Sequence, residues 1–530
     1  MTKKGLIVIL MALFVVAGLG SAFAVQTGGM TSNNGLPNSN APRLPQAAFN
    51  GAGNEFANGF TAGLDVHVNP DGLGDTLIYN YFNARENMGT YFSVVNTASN
   101  YIRARVRFHE GANIDESYCK SGSWEILDFD LCLTPDDAWT GWVVQGTDGK
   151  GILCSADVHT LIWDGVTSQT FVAAGGGTTV GCVSFKTEAE GAEPGIKAVD
   201  TLEGYWTIIG ESTLQFDRNV NDNNPRVIPM TSSNYTCDPK FAIPQSDVPN
   251  ALFGSAFVAD INDPTNSPFY EFNATAIADF HSQTIGGSFA AGTESPTLAN
   301  GGDHLLGINY ILTKANLYGT YLLDGGFESE FILTFPTKRY SRENTCLHDV
   351  GVLSTNTGNW ISLPTLTNPF ASASFVFADN QLEPTVFITV WDLDENKAKG
   401  SKCAFSPCPE AGTDVIPFEL NVLTVSKTGA AANHIMPSEL NPNGLIVVPS
   451  AANFDRGWVD INLTGPFHST VADERDIITV GVAGLRLETF GLPVLGLQLL
   501  NNKNYSGMLP MQATTLVGAT PSTVIPVVIN

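Results

Sequence analysis

The sequence predicts an all-β protein built from antiparallel β-sandwich domains of immunoglobulin-like shape, two in number or three. Short runs of β-branched and aromatic residues recur along the chain, as at 91–96, 101–110 and 385–392. Turn-forming residues separate them, and the chain holds 52 glycines and 29 prolines. Helical periodicity is nearly absent from the first of the predicted domains, which favours a sandwich.

Two neighbouring runs near residue 100 alternate between apolar and polar positions, as strands do. The first places Ile102, Ala104, Val106 and Phe108 on one face and Arg103, Arg105, Arg107 and His109 on the other. The second places Leu127, Phe129, Leu131 and Leu133 on one face and Asp128, Asp130 and Cys132 on the other. We therefore expect each strand to have one dry and one wet face. Arginines and aspartates on neighbouring antiparallel strands should pair across the sheet and help to set its register.

The chain divides into five predicted segments. Residues 1–24 resemble a secretory signal peptide, with Lys3 and Lys4, an apolar run and a cleavage site at Ala22–Ala24; an uncleaved anchor is the alternative. Residues 25–58, rich in Gly, Asn, Ser and Pro, predict a flexible N-terminal segment. Residues 59–229 and 230–430 are the two predicted sandwiches. Residues 431–530 hold closing strands of the second sandwich, or a small third unit, and a tail.

One stretch of the second predicted sandwich carries a helical pattern. Ala276, Ile277 and Phe280 within residues 274–280 fall on one helical face. A helix of one or two turns is expected there.

The charge of the chain excludes two classes of partner. Its net charge is −26, whereas nucleic acids and anionic lipid surfaces attract basic patches. Acidic character favours solubility and attraction of divalent cations. No later segment is long and apolar enough to span a membrane once the signal peptide is removed.

The cysteines predict disulfides, because an even number in an exported chain favours paired thiols. They are Cys119, Cys132, Cys154, Cys182, Cys237, Cys346, Cys403 and Cys408. Sequence proximity suggests the pairs Cys119–Cys132, Cys154–Cys182 and Cys403–Cys408, which leaves Cys237–Cys346, although other connectivities stay open. Their spacing fits neither haem attachment nor a paired-cysteine zinc site.

A polar stretch between the two predicted sandwiches is a candidate calcium site. It contains Asp217, Asn219, Asn221, Asp222 and Asn223, and resembles the calcium linker of cadherins. Side-chain oxygens at alternate positions beside a domain junction suit a hard cation. The alternative is a simple turn, because such clusters before a proline commonly form one.

Three further clusters favour structural interpretations over chemical ones. Glu125, Asp128 and Asp130 suggest the paired carboxylates of a glycoside hydrolase, but carboxylates at i and i+2 of one strand point the same way. The segment 392–396 opens like a calcium-binding EF-hand loop, yet Lys397 stands where that loop needs glycine. Asp136 and Asp137 after a proline predict a turn or a helix cap.

Three tryptophans are candidates either for binding sugar faces or for core packing: Trp139, Trp142 and Trp206.

Several sequence blocks together resemble a family of exported bacterial envelope proteins without an assigned activity. They are GLGD with LIY (residues 72–79), VRF (106–108), LDF to TPDDAWT (127–140), TFPTKR (334–339), NVLT (421–424) and GLPVLG (491–496). The resemblance implies an extracellular or cell-surface location, with the periplasm as the alternative. It supplies no catalytic residues.

These observations together predict a non-enzymatic structural protein of the bacterial cell surface. A surface-layer or coat-like component, associating with itself or with other envelope components, fits the acidic charge and the β-rich pattern. Calcium is the one cofactor suggested. The alternatives are an extracellular adhesin or carbohydrate-binding protein and, less favoured, a secreted hydrolase.

Overall fold

The structure is a computed structural model, and it describes most of the strand-forming part of the chain. The described residues are 67–99, 101–112, 124–156, 162–163, 181–190, 195–216, 242–245, 248–262, 268–280, 296–298, 308–309, 311–341, 385–398, 412–416, 418–427, 434–440, 444–463, 480–482, 485–502, 505–519 and 523–525. The segments predicted as signal peptide and flexible N-terminus lie outside these residues.

The elements are strands joined by loops and short 3₁₀ helices, which confirms the all-β prediction. The first fourteen strands are β1 (His67–Val68), β2 (Thr76–Asn83), β3 (Met88–Asn96), β4 (Tyr101–Glu110), β5 (Glu125–Leu133), β6 (Ala138–Gln145), β7 (Gly151–Ser155), β8 (Ile162–Trp163), β9 (Gly181–Ser184), β10 (Glu203–Phe216), β11 (Ala242–Gln245), β12 (Leu252–Asp260), β13 (Phe269–Asn273) and β14 (Thr275–Ala278).

The later strands follow the same pattern of short elements. They are β15 (Thr313–Lys314), β16 (Asn316–Leu322), β17 (Glu328–Thr334), β18 (Thr385–Asp392), β19 (Gly412–Val415), β20 (Leu420–Ser426), β21 (Leu445–Val447), β22 (Arg456–Asn462), β23 (Val480–Val482), β24 (Leu485–Phe490), β25 (Leu492–Pro493), β26 (Leu495–Asn501), β27 (Ser506–Pro510), β28 (Gln512–Thr514), β29 (Leu516–Ala519) and β30 (Thr523–Ile525). The 3₁₀ helices are Glu188–Glu190, Ala198–Leu202, Lys338–Ser341 and Ala452–Asp455.

The first sandwich packs an eight-stranded sheet, sheet 1, against a six-stranded sheet, sheet 2. Sheet 1 has the order β1-β14-β2-β10-β4-β5-β8, with β11 also on β10, and sheet 2 has the order β13-β12-β3-β6-β7-β9. Trp206 lies at the centre of the core between them, with its ring centroid 4.3 Å from that of Tyr79 and 4.9 Å from that of Phe92. Fully buried aromatic residues of this size contribute about 1.5 to 3 kcal/mol each through burial alone.

The second sandwich packs two five-stranded sheets around its own core. Sheet 3 has the order β19-β18-β22-β16-β28, and sheet 4 has the order β21-β20-β17-β26-β27. Leu317, Phe331, Val390 and Val459 belong to the core between them. Strands β23-β24-β29-β30 form a further four-stranded sheet, and β15 pairs with β25.

The division between the two sandwiches falls later than residue 229. Strands β11 to β14, which the sequence placed in the second domain, pair with strands of sheets 1 and 2. Residues 431–530 contribute β21, β22 and β26 to β28 to the second sandwich. Of the other strands in this region, β25 pairs with β15, and β23, β24, β29 and β30 form the four-stranded sheet.

The expected helical turn at residues 274–280 is wrong. Thr275–Ala278 forms β14, which lies between β1 and β2 in sheet 1. Backbone pairing on both sides holds this segment extended, and the β-branched Thr275 and Ile277 suit that conformation. Pairing with neighbouring strands outweighs the short helical pattern.

The core of the first sandwich also includes residues of the second sandwich, and we call this cluster the shared core. Ile332 of β17, Leu420 and Val422 of β20 and Leu497 of β26 pack into the core cluster that contains Tyr79 and Trp206. One face of sheet 4 therefore lies against the first sandwich while its other face, with Phe331 and Leu333, faces the second core. The sandwiches are joined as one packed body.

Candidate functional site

The predicted pairing of arginines and aspartates across β4 and β5 is confirmed, and it forms a continuous ladder of ion pairs. Arg105 lies opposite Asp130 and Arg107 lies opposite Asp128 in the register. The Asp130 carboxylate accepts hydrogen bonds from Arg103 Nη2 at 2.6 Å and from Arg105 Nη1 at 2.8 Å. Arg105 also pairs with Asp128, Arg107 with Glu125 and Arg103 with Glu211.

The expectation that this ladder faces solvent is wrong. Asp130 and Glu211 are 0% exposed, and Arg103 is 2% exposed. Arg107 donates a hydrogen bond of 2.9 Å to the carbonyl of Pro296, so a segment 189 residues away covers part of the ladder. Asp130 is a buried carboxylate held by two guanidinium groups, and the half-buried Asp128 and Glu125 pair with Arg105 and Arg107. All three carboxylates therefore belong to ion pairs that join strands of the sheet.

A second polar network joins the two sandwiches around the buried Glu203. Its carboxylate accepts hydrogen bonds from Tyr81 Oη at 2.9 Å and from Arg85 Nε at 3.0 Å. Burial raises the pKa of Glu203, against the influence of Arg85 and of hydrogen bonds. Asn83 donates a bond of 2.9 Å to the carbonyl of Pro437, a residue of the segment 434–440 that we call the strap.

The strap is held from the other side by Glu330 of β17. The Glu330 carboxylate accepts hydrogen bonds from the backbone N–H groups of Ile435 at 2.9 Å and Met436 at 3.0 Å, and from Thr424 Oγ1 at 2.9 Å. His434 Nδ1 lies 3.2 Å from the same carboxylate, and the hydrogen bond to Glu330 raises the pKa of His434. Ile435 and Met436 belong to the shared core.

A third contact closes the junction near His109. The imidazole stacks on Tyr205, with ring centroids 4.9 Å apart, and Nδ1 contacts the Arg339 guanidinium. Burial first, and then the charges of Arg339 and Arg107, lower the pKa of His109 well below its usual value. Tyr205 Oη donates a bond of 2.7 Å to Glu419 of the second sandwich. Buried, directional bonds of this kind oppose movement between the sandwiches.

The outward face of sheet 2 carries a line of aromatic rings, which we call the aromatic row: Phe269, Phe257, Tyr91 and Trp142. Tyr91 pairs directly with Phe257 on β12 and with Trp142 on β6. Its ring centroid lies 5.1 Å from that of Phe257 and 6.4 Å from that of Trp142, while Phe257 and Phe269 are 4.3 Å apart. Three of the four rings are half-buried, and Phe269 is 41% exposed.

The three tryptophans identified in the sequence differ in burial. Trp139 and Trp206 are 0% exposed and belong to the core. Trp142 lies two residues from Trp139 on β6 and therefore points to the opposite face, into the aromatic row.

One predicted disulfide is present, between Cys154 and Cys182. These residues pair across β7 and β9, and Cys154 also pairs with Trp142, so the bond lies at the end of the aromatic row. Cys132 is disulfide-bonded as well. Cys119, Cys237, Cys346, Cys403 and Cys408 lie outside it, and their pairings stay predictions.

Of the two candidate calcium sites, one lies outside the described residues and the other forms a turn. Asp217, Asn219, Asn221, Asp222 and Asn223 lie outside the described residues. At the tip of β18, Asp392 accepts bonds from the Asp394 and Asn396 N–H groups at 2.9 and 2.8 Å, and from the side-chain amides of Asn396 and Asn453. Such a loop is a side-chain-stabilised turn. Burial works against ionisation, yet these bonds hold the pKa of Asp392 below its usual value.

The turn predicted at Asp136 and Asp137 is confirmed. Asp136 has a φ of 57°, and Asp137 accepts bonds from Thr134 N and Oγ1 at 2.9 and 3.0 Å. Among the described residues, His, Cys, Asp and Glu side chains form no cluster of three or more suited to a metal ion. Within the same residues no helix has both the length and the apolar character needed to cross a membrane.

No family model, curated protein or solved structure matches the chain. The resemblance of its sequence blocks to exported bacterial proteins therefore stays a prediction. The sequence did not identify the aromatic row, because its rings come from four strands that only the strand order brings together.

Proposed function

We propose that the chain is a non-enzymatic structural protein of the bacterial cell surface, a coat-like component that associates with copies of itself. The observation that carries this proposal is the aromatic row on the outward face of sheet 2. Large exposed apolar patches on a folded protein commonly mark sites of protein association. The cell-surface location rests on the predicted signal peptide and the sequence resemblance.

Charge favours a second copy of the chain as the partner of this face. The whole chain carries a net charge of −26, so two copies repel each other over most of their surfaces. On the strands that carry the row, the outward residues beside it are uncharged at Val95, Ser93, Thr140, Ser255 and Ala259, and Glu271, which pairs with Phe257, is the charged neighbour. Repulsion between copies is therefore expected to be weaker at this face than the net charge of the chain implies.

The joined sandwiches support a structural role as well. Tyr205 donates to Glu419 across the junction, and Asn83 donates to the strap. The carboxylates suggested as a catalytic pair are held by arginines of the ladder. A stiff body transmits load between neighbours, whereas substrate turnover commonly needs a mobile site. Divalent cations are expected to favour assembly because they neutralise acidic surface.

Sedimentation velocity of the purified full-length mature chain tests this proposal. We expect concentration-dependent association, strengthened by calcium, which the double variant Phe257→Ser with Trp142→Ser abolishes. Trp391→Ser, a half-buried tryptophan of the second sandwich, is the matched control and should associate like the unmodified chain. A chain that stays monomeric throughout, or a double variant that associates as well as the unmodified chain, contradicts the proposal.

A further inference from the structure

The outward face of sheet 3 differs from the aromatic row in that it mixes aromatic and hydrogen-bonding side chains. The strand order β18-β22-β16-β28 aligns its residues in three cross-strand rows. They are Trp391, Trp458 and Thr320; Thr389, Asp460, Tyr318 and Gln512; and Phe387, Asn462, Asn316 and Thr514. We call this surface the mixed face. All its residues are half-buried or exposed.

Three aromatic residues of the mixed face, Trp391, Trp458 and Tyr318, form a continuous strip. The Trp391 and Trp458 rings are nearly parallel, at 8°, with centroids 5.2 Å apart, and the Tyr318 centroid lies 6.2 Å from that of Trp458. The Lys397 ammonium lies 5.9 Å from the Trp391 centroid and marks the edge of the strip. Tryptophan and tyrosine combine a large apolar surface with a polar atom, which suits partly wet contacts.

Hydrogen-bonding groups border the strip in fixed positions. Asn316 Nδ2 donates a bond of 2.7 Å to Asp460 Oδ1, so the amide and the carboxylate orient each other. Asn462 lies beside Asn316, and Thr389 lies beside Asp460, in the register. Partial burial raises the pKa of Asp460, against the Asn316 hydrogen bond. The face thus offers both donors and acceptors at short spacing.

The charge of the mixed face limits the class of ligand. Asp460 is the only charged side chain in the three rows, and the Lys397 ammonium at the edge of the strip offsets its charge. The mixed face is therefore close to neutral, although the chain as a whole is strongly acidic. A polycation would need more carboxylates, and a polyanion would need basic residues. Hexopyranose rings combine apolar C–H faces with a rim of hydroxyl groups, and these match the aromatic strip and its polar border.

We propose that the mixed face binds a neutral polysaccharide, with the solvent-facing sides of the stacked Trp391 and Trp458 and of Tyr318 contacting the apolar C–H groups of sugar rings and with Asp460, Asn316 and Asn462 binding hydroxyl groups. This inference does not rest on the proposed structural function. The ligand lies on the outward face of sheet 3, whereas the aromatic row belongs to sheet 2.

Affinity electrophoresis of the full-length mature chain tests the inference. The gels contain hydroxyethyl cellulose, glucomannan, galactomannan or dextran, with polygalacturonate as the charged comparison. At least one neutral polysaccharide should retard the chain. Trp391→Ala and Trp458→Ala should each weaken that binding by about tenfold, the size of effect that one well-packed aromatic contact gives.

Two further variants separate binding from folding. Trp458→Phe keeps an aromatic ring and should retain most of the binding, and Trp142→Ala, in the aromatic row, should leave it unchanged. The inference is overturned if no neutral polysaccharide retards the chain, if polygalacturonate retards it equally, or if the double variant Trp391→Ala with Trp458→Ala binds as the unmodified chain does. Thermal unfolding of each variant confirms that it is folded.

Discussion

The two sheets of the first sandwich present opposite chemistry on their outward faces. The outward face of sheet 1 carries the arginine–carboxylate ladder and is buried, with Asp130 0% exposed. The outward face of sheet 2 carries the aromatic row and reaches solvent, with Phe269 41% exposed. Alternation along a strand determines which residues share a face, whereas the segments packed outside the sheet determine whether that face is wet. Here the charged face is covered and the aromatic face is open.

The largest expected effect concerns the covered face. Asp130→Ala leaves Arg103 and Arg105 without their shared carboxylate in a buried setting, and removing one partner of such a pair costs about 3 to 5 kcal/mol. Chemical denaturation measures the loss. Asp71→Ala, at an exposed aspartate, is the control and should change the unfolding free energy by less than about 0.5 kcal/mol. Equal effects at the two positions would mean that the ladder does not stabilise the fold.

A smaller loss is expected where the strap crosses the junction. Glu330→Ala removes the acceptor of the Ile435 and Met436 N–H groups and should cost about 3 kcal/mol. Hydrogen exchange at these two amides should be faster in Glu330→Ala than in the control Glu271→Ala, which changes an exposed glutamate of β13. Unchanged protection of the strap would show that its apolar contacts hold it without Glu330.

Changes on the open face should affect stability less than changes on the covered face, and they should affect association most. Trp142→Ser removes a half-buried ring and is expected to cost about 1 kcal/mol of unfolding free energy, well below the cost of Asp130→Ala. The comparison of the two faces fails if Trp142→Ser destabilises the chain as much as Asp130→Ala does. Parallel denaturation curves of the two variants decide this.

The smallest effect is a pH dependence at the strap. The pKa of His434 is raised by Glu330, so its contribution is complete below the unfolded pKa of about 6.5 and is lost as the pH rises through the folded value. Because the side chain is 30% exposed, we expect no more than about 0.5 kcal/mol. Unfolding free energies at about pH 5.5 and about pH 8 should differ more for the unmodified chain than for His434→Gln. Identical pH dependences would exclude the ion pair as a source of stability.

Local patterns predicted those features whose partners lie on adjacent strands. The pairing of Arg105 with Asp130 and of Cys154 with Cys182 could be read from alternation and proximity. The turn at Asp136 follows from short-range chemistry in the same way. The contact of Glu211 with Arg103 does not follow from alternation, because a bulge in β10 between Gly210 and Ser212 shifts Glu211 out of the regular pattern.

Features that depend on distant segments could not be predicted. The ladder is buried because distant segments, such as the one with Pro296, cover it. The strap is held because Glu330 binds Ile435 and Met436, which lie more than 100 positions later in the sequence. Trp391 and Trp458 become neighbours only because β18 and β22 are adjacent in sheet 3. A single sequence contains no signal for such an order of strands.

Electron microscopy of the surface of the native cells tests the central claim most directly. Cells that produce the unmodified protein should carry an ordered coat. Cells that export the double variant Phe257→Ser with Trp142→Ser at the same level should lack that coat and release the protein in monomeric form. An unchanged coat in the variant cells, or the absence of any coat when the unmodified protein is abundant at the surface, would contradict the account.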